Sequence, residues 1–220
     1  MNVLVIAPHA DDEILGVGGT IAKYIKEGHK VYICIASRGY PPLFSNEYVE
    51  GIIKEAIKCH KFLEVEKTFF LDFPAAMLEK ANRNEINDKL YGVIDEVKPD
   101  IVFVPHYGDM QKDHEIIAKS CMVALRPKYQ HKVKAIYSYE TISETEWNIP
   151  HATNTFIPNV YIDISDYIQT KLDAMAQYKS QLSDFPNARS LEALEALAKY
   201  RGSTINVCAA ESFALIRQIM

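Results

Sequence analysis

Two short segments of the sequence combine histidine with acidic residues. Pro8–Glu13 reads PHADDE, and Pro105–His114 reads PHYGDMQKDH. Each segment directly follows an apolar run that is typical of a buried strand. Histidine and carboxylate ligands suit Zn²⁺, and three protein ligands beside an open position are typical of a catalytic zinc site. The two segments therefore predict a metal centre, if the fold brings them together.

The acidic pair in the first segment suits hydrolysis. Water bound to a catalytic metal becomes hydroxide near neutral pH, and a free carboxylate beside it accepts the proton. Asp11 and Asp12 are adjacent and point in different directions, so one side chain can bind the metal while the other acts as the base. A second interpretation remains open at this point, because acidic residues also favour the N-terminus of a helix.

The elements around these segments predict an α/β protein. Apolar runs alternate with segments of helical periodicity through about the first 140 residues, and Val3–Ala7 and Ile101–Val104 are continuous apolar runs, typical of strands buried on both faces. We expect one domain over residues 1–220, a Rossmann-like three-layer sandwich with a mostly parallel sheet. Ligands bind beyond the carboxyl ends of such strands, so both segments fall at the same edge.

The glycines after the first segment, in GVGGT (Gly16–Thr20), have the composition of a dinucleotide-binding loop. The context is wrong, because acids rather than a tight glycine turn follow the strand. We interpret the glycines as allowing a helix to approach the sheet closely. That helix is predicted over GTIAKYIKEG, Gly19–Gly28.

The composition bounds the class of protein. Of the residues, 48% are hydrophobic and the formal net charge is −5, which argues against a nucleic-acid partner. No apolar run approaches the length of a membrane span and no secretory signal is present, so a cytoplasmic protein is expected. The cysteines show no paired spacing, three of them sit in apolar surroundings, and we interpret them as reduced core thiols: Cys34, Cys59, Cys121 and Cys208.

PHADDE resembles the motif P/A-H-x-D-D-E of the LmbE-like, or PIG-L, family of zinc-dependent de-N-acetylases. The resemblance covers nearly the whole chain and includes LDFP, KPDIVFVP, DMQKDH, RSLEALEALAKYRG and AESFALIR. Members of this family act on conjugates that contain N-acetylglucosamine. The resemblance therefore implies a small-molecule sugar conjugate as the substrate, and it also implies a homo-oligomer.

By position in the motif, the resemblance implies that His9, Asp12 and His114 bind Zn²⁺. It implies that Asp11 is the general base for the zinc-bound water, whose attack releases acetate and an amine. Many members read H-P-D-H where this sequence reads QKDH. Gln111 donates a hydrogen bond but cannot shuttle a proton, so the acid role is expected to return to Asp11.

Two further residues are predicted to contact the substrate. Arg38 follows the second predicted strand at the same sheet edge and is a candidate for an anionic or sugar group. Its alternative is an ion pair with Glu47 or Glu50. Glu140 follows a later strand, in an aromatic and polar segment that is long for a plain connection, and is predicted to bind sugar hydroxyls.

Two of the remaining candidates are predicted to orient a metal ligand, and the other histidines are predicted to lie outside the site. A metal-bound histidine usually donates its other ring N–H to a nearby acceptor. Asp109 and Asp113 are predicted to accept such a hydrogen bond from His114. Asp113 has the alternative of capping the fourth helix. His29, His60 and His131 are placed at helix ends or surface turns, where no function is needed.

Two other functions remain open on the sequence alone. Carboxylate-rich loops at strand ends also suit Mg²⁺ and phosphoester hydrolysis, although that chemistry usually needs more acids and a basic phosphate clamp. The other is a non-catalytic sugar-binding protein with a degenerate metal site. Gln111 favours this second alternative, whereas the intact His9, Asp11, Asp12 and His114 argue against it.

Overall fold

A computed structural model describes residues 1–127 and 132–220. The strands are β1 Asn2–Ala7, β2 Lys30–Arg38, β3 Lys67–Pro74, β4 Ile101–Pro105, β5 Ala135–Tyr139, β6 Val160–Asp163 and β7 Ala210–Gln218. The helices are α1 Asp12–Lys26, α2 Asn46–Leu63, α3 Arg83–Val97, α4 Lys112–Ala124, α5 Ile168–Met175 and α6 Leu191–Ser203. Short 3₁₀ turns lie at Leu78–Lys80 and Lys179–Gln181.

The strands form a single sheet in the order β3-β2-β1-β4-β5-β7-β6. The first five strands are parallel, and β7 is antiparallel to both β5 and β6. The predicted α/β domain with a mostly parallel sheet is therefore confirmed. Because β1 and β4 are parallel neighbours, their carboxyl ends open at the same edge, and the two histidine and acid segments meet there.

Side chains of β1 alternate between two cores, as the pleat of a strand requires. Val3 and Val5 belong to one apolar cluster and Leu4 and Ile6 to the other. The predicted burial of this strand on both faces is thus confirmed. The prediction for the cysteines is also confirmed, because all four are free and three of them are buried.

Helix α1 begins at Asp12, seven residues before the predicted start at Gly19. Asp12 and Glu13 lie in its first turn, where carboxylates interact favourably with the helix dipole. Glycine occupies these helical positions despite its low helix propensity, because the packing around them leaves no room for a larger side chain. A Cβ on Gly16 would lie 2.3 Å from Cδ2 of Tyr139 and 2.9 Å from the carbonyl oxygen of Glu140. The predicted close approach is confirmed.

We expect Gly16→Ala to lower the free energy of unfolding by about 1–3 kcal/mol, because the added methyl overlaps β5 and the backbone beyond it. The matched control is Gly51→Ala in α2, where a Cβ would meet nothing within 4 Å. That variant should stabilise the protein by about 0.5–1 kcal/mol through helix propensity. Urea denaturation measures both, and equal stability of the two variants would contradict the packing argument.

Two buried side chains, from α5 and β7, form hydrogen bonds with the backbone of α1. Glu211 of β7 accepts hydrogen bonds from the backbone N–H groups of Gly19, at 2.9 Å, and Thr20, at 2.7 Å. Lys171 of α5 donates to the carbonyl oxygen of Leu15 at 2.8 Å and pairs with Glu211 at 2.5 Å. Both side chains are almost fully buried. The position of α1 above the sheet therefore depends on α5 and β7.

Among the described residues, no helix combines the length and apolar character needed to cross a membrane.

Candidate metal centre and its surroundings

His9, Asp12 and His114 converge at the carboxyl edge of β1 and β4. Each offers one ligand atom, and these atoms all lie within 4.8 Å of one another. Oδ2 of Asp12 lies 3.3 Å from Nδ1 of His9 and 3.3 Å from Nε2 of His114. Asp12 and His114 are fully buried, whereas the side chain of His9 is 21% exposed. The cluster is therefore accessible from the side of His9.

Two atoms of this cluster show that it suits a cation. Oδ1 of Asp12 and Nε2 of His114 are buried and have no hydrogen-bond partner among the described residues. A buried polar atom without a partner costs about 1–3 kcal/mol, which a bound cation would relieve. Two imidazole nitrogens and a carboxylate are a typical donor set for zinc. The residues present therefore fit Zn²⁺.

Carboxylates hold the outer nitrogens of both imidazoles. Nδ1 of His114 donates to Asp109 at 2.8 Å, as predicted. Nε2 of His9 donates to Asp113 at 3.0 Å, so Asp113 serves His9 rather than His114. The backbone N–H groups of Ala76, at 2.6 Å, and Leu78, at 3.3 Å, draw the Asp113 carboxylate toward the loop after β3. Such outer acceptors orient metal-binding histidines.

The acids around the imidazoles favour positive charge in this cluster. Burial opposes the charging of His9, but hydrogen bonds to Asp113 and Asp12 outweigh it and raise the pKa of His9 to about 9. Burial likewise opposes the charging of His114, whose pKa Asp12 and Asp109 raise to about 10. Burial also acts against the charge on Asp12, yet the two histidines hold its pKa well below the usual range.

Asp11 lies beside the cluster in an unusual backbone conformation. It precedes α1 with φ 123° and ψ −30°, a region that residues other than glycine rarely adopt. Such strain costs about 1–3 kcal/mol and persists only where surrounding bonds hold it, often at functional sites. Burial raises the pKa of the Asp11 carboxyl to about 7, although the charge of Arg189 opposes this shift.

Arg189 and Glu144 complete the surroundings of Asp11, and neither was among the predicted site residues. A guanidinium nitrogen of Arg189 donates to Oδ2 of Asp11, and its Nε donates to Ser143 at 2.9 Å. Its other terminal nitrogen lies 3.9 Å from Glu144. The length and polarity of the segment after residue 140 were the one sequence signal for Glu144. Arg189 precedes α6, far from both motifs in sequence.

Gln111 is the N-cap of α4, which means that Asp113 lies inside the helix and does not cap it. Nε2 of Gln111 donates to Oε1 of Glu144 at 2.8 Å. Burial raises the pKa of Glu144, against the opposing effects of His114 and Gln111. Gln111 therefore faces the same space as Asp11 and is held there by a carboxylate.

A cavity of about 440 Å³ opens beside the cluster, and its polar lining includes His9, Asp11, Gln111 and Arg189. Its apolar lining includes Phe44, Tyr48, Val49, Ile52, Ile53, Phe70 and Leu182. Arg38 also lines this cavity, where it was predicted to contact the substrate. Its ion-pair partner is Asp72, at 3.8 Å, rather than either glutamate considered as an alternative.

Glu140 lies outside this cavity, in a bidentate ion pair with Arg201 of α6. Its Oε1 accepts from Nε of Arg201 at 2.8 Å and from the hydroxyl of Ser212 at 2.7 Å, and its Oε2 lies 2.6 Å from the other guanidinium nitrogen. Glu140 and Arg201 line a separate cavity of about 510 Å³. The structure therefore does not bring Glu140 to the metal cluster, and it gives this side chain a protein partner.

His60 lies in the last turn of α2, so its predicted position at a helix end is confirmed, although it is buried there. Its side chain is buried in α2, and Nε2 lies 3.1 Å from the carboxylate of Glu13, the residue after Asp12. His131 lies outside the described residues. His29 is at the predicted turn after α1, and nothing in its contacts involves the metal cluster among the described residues.

A comparison with family models matches residues 4–125 to the family described as PIG-L, GlcNAc-PI de-N-acetylase. The match covers more than half of the chain and includes the whole metal cluster, Asp11 and Gln111. The chain belongs to the PIG-L family.

Relatives of this PIG-L family chain are named as deacetylases. A probable N-acetyl-alpha-D-glucosaminyl L-malate deacetylase 2 of Bacillus anthracis is 24% identical over 83% of this chain and 82% of its own. The diacetylchitobiose deacetylase of Thermococcus kodakarensis is 25% identical over 83% of this chain and 71% of its own. The crystal structure of the conserved protein TT1542 from Thermus thermophilus superposes with a TM-score of 0.81, at 27% identity, over 99% of this chain and 96% of the other.

Proposed function

We propose that the protein is a zinc-dependent hydrolase that removes the N-acetyl group from an N-acetylglucosamine-type sugar or sugar conjugate. The observation that carries this proposal is the buried cluster of His9, Asp12 and His114, with two unpartnered polar atoms, beside the carboxylate of Asp11. Relatives named as deacetylases support the choice of an acetamide as the bond that breaks.

His9, Asp12 and His114 would hold the zinc ion, which supplies a Lewis acid for the acetamide carbonyl and for water. Asp109 and Asp113 orient the two imidazoles through the hydrogen bonds described above. The exposed side of His9 leaves the cluster open to the cavity. A substrate carbonyl can therefore reach the cluster from the cavity while the opposite side stays closed by protein.

Asp11 is the proposed base. It accepts a proton from the attacking water, whose oxygen forms a bond to the carbonyl carbon. The same proton then passes to the sugar nitrogen as the carbon–nitrogen bond breaks, which leaves acetate and an amine. Arg189 holds Oδ2 of Asp11 and so fixes the direction of the carboxylate.

Gln111 is proposed to orient the acetamide group and not to transfer a proton. Its amide group has no acidic proton at neutral pH, and its donor nitrogen is engaged with Glu144. The return of the proton therefore belongs to Asp11 rather than to the residue at this position. With the proton returned by Asp11, Gln111 is compatible with a catalytic site.

The volume and the lining of the cavity indicate what size and kind of substrate it can hold. Its volume of about 440 Å³ lies in the usual range for small-molecule sites, about 300–1,000 Å³. Apolar side chains line part of the cavity, and His9, Asp11 and Arg38 are among the polar residues that line it. We propose that the sugar ring lies between these surfaces and that Arg38 binds an oxygen-bearing group of the conjugate.

The test is release of amine from a panel of N-acetylglucosamine conjugates, measured with protein that is zinc-loaded or treated with a chelator. We expect at least one conjugate to be deacetylated, only by the zinc-loaded protein. An aryl phosphate serves as the control for the phosphoester alternative and should not be hydrolysed. Hydrolysis of the phosphate alone, or no deacetylation by protein with stoichiometric zinc, would contradict the proposal.

Arg189→Gln is expected to lower kcat by about 10-fold to 100-fold, because the Asp11 carboxylate loses the group that directs it. The zinc content should stay unchanged, since the hydrogen bonds and ion pairs of Arg189 go to Asp11, Ser143 and Glu144 and not to the three proposed ligands. Arg201→Gln is the matched control, because it also breaks a half-buried ion pair but at Glu140. Equal kcat values for the two variants would show that Arg189 has no role in orienting Asp11.

A further inference from the structure

A group of buried polar side chains contacts the backbone of Asp11 and is not part of the cavity lining. Glu13 is fully buried in the first turn of α1, and its Oε2 accepts a hydrogen bond from the backbone N–H of Asp11 at 3.1 Å. Its Oε1 accepts from the hydroxyl of Tyr178 at 2.5 Å and lies 3.1 Å from Nε2 of His60. Donors from three separate parts of the chain thus surround one carboxylate.

The outer bonds of this group are consistent with one arrangement of protons. Nδ1 of His60 lies 2.8 Å from the hydroxyl of Thr68 in β3. If Nε2 of His60 donates to Glu13, then Nδ1 accepts from Thr68, so one tautomer satisfies both contacts. Burial raises the pKa of Tyr178 well above its usual value and keeps its hydroxyl protonated as a donor. The Glu13 carboxylate is thereby held in a fixed orientation.

We infer that Glu13, His60 and Tyr178 are positioning residues that fix the backbone of Asp11 and so direct its carboxylate into the cavity. The inference rests on the proposed role of Asp11 as the base. Asp11 has φ 123°, which a non-glycine residue keeps only if its peptide groups are held on both sides. Glu13 holds its N–H, and the N–H groups of Ile14 and Leu15 hold its carbonyl oxygen, each at 2.9 Å.

The bond to the Asp11 N–H connects this buried group to the proposed base. His60 and Tyr178 hold only one oxygen of Glu13. The second oxygen of Glu13 instead reaches the peptide that sets the direction of Asp11. Loss of the orientation should therefore change the rate of the chemical step more than the binding of substrate or zinc.

Tyr178→Phe tests this with a small change, because only a hydroxyl is removed and the ring is kept. We expect kcat to fall about 10-fold, with KM within about twofold and zinc stoichiometry unchanged, as for an interaction that acts in the transition state. The matched control is Tyr139→Phe. Tyr139 is equally buried and loses one hydrogen bond, from its hydroxyl to the carbonyl oxygen of Ile6 at 3.0 Å. Its kcat should equal that of the parent.

Glu13→Gln gives a second readout that needs no substrate. The new amide group accepts at one end only, so the substitution weakens either the bond to the Asp11 N–H or the bonds from Tyr178 and His60 that fix this side chain. In ¹⁵N-labelled protein we expect hydrogen exchange of the Asp11 amide to become at least about 10-fold faster. The amide of Ile33 in the buried strand β2 serves as the reference and should keep its rate.

The outcomes separate this inference from the proposed function. If the parent deacetylates no conjugate, the proposed function fails, and amide exchange still decides whether Glu13 holds Asp11. If the parent is active, equal kcat values for Tyr178→Phe and Tyr139→Phe overturn the inference. Unchanged exchange at Asp11 in Glu13→Gln also overturns it. If Glu13→Gln does not fold, the same exchange measurement on Tyr178→Phe takes its place.

Discussion

Asp11→Asn is expected to reduce kcat for deacetylation by about 10²–10⁴-fold, the usual contribution of a general base. Asparagine has the size and shape of aspartate but cannot accept a proton near neutral pH. It also tolerates positive φ better than most residues, so the backbone before α1 should be kept. Steady-state kinetics and zinc analysis of the same preparation measure both effects, and the zinc content should equal that of the parent.

A suitable control for this variant is Asp100→Asn. Asp100 binds Lys134 at 2.8 Å and the backbone N–H of Asn2 at 2.9 Å, at the opposite edge of the sheet. The Asp100→Asn variant should be less stable than the parent protein, and its kcat should be unchanged. If Asp11→Asn kept more than about a tenth of the parent kcat, the proton would have to pass to another residue, and the proposed mechanism would be wrong.

The second large effect is expected for His114→Ala, which removes one of the three proposed ligands. The dissociation constant for zinc should rise by more than about 100-fold, because even the outer partners of ligands contribute about 10-fold to 100-fold. Competition with a chromophoric chelator measures the affinity. Addition of zinc should also raise the Tm of the parent and not that of the variant, since a ligand stabilises only a state that binds it.

Asp109→Asn provides the graded comparison. It keeps all three ligands and weakens the hydrogen bond from Nδ1 of His114 and the one from the hydroxyl of Thr145, at 2.6 Å. Its zinc affinity should fall between those of the parent and His114→Ala. Parent-like zinc affinity in His114→Ala would show that the ligand set is wrong, even if activity were lost.

The location of the site was predictable from the sequence because local patterns determine it. A continuous apolar run indicates a strand buried on both faces, and parallel strands open at a common edge. PHADDE and PHYGDMQKDH follow two such runs, so the proximity of His9, Asp12 and His114 required only that β1 and β4 be neighbours. The start of α1 was not predictable, because its glycines lower helix propensity and only contacts such as that of Gly16 with Tyr139 explain them.

The contacts of Asp11 could not be predicted from the sequence, because its partners lie far away along the chain. Arg189 is 178 residues from Asp11, and Tyr178 is 165 residues from Glu13. His60 has the sequence context of a helix end, and only the packing of α2 beside α1 shows that it faces Glu13. Glu140 had the expected position at a strand end, yet the structure pairs it with Arg201 because α6 packs against β7 there.

The hydrogen bonds that link Lys171 and Glu211 to the backbone of α1 have a consequence for biosynthesis. Gly19 and Glu211 are 192 residues apart, so a nascent chain exposes the segment that contains His9 and Asp12 long before its partner leaves the ribosome. At about 5–20 residues per second, roughly 10–40 s separate the two. During that interval Glu13, Asp11 and Leu15 lack their partners from the last quarter of the chain. The segment with His9 and Asp12, two of the proposed metal ligands, is therefore translated early, and we expect it to acquire its final geometry only after translation of β7.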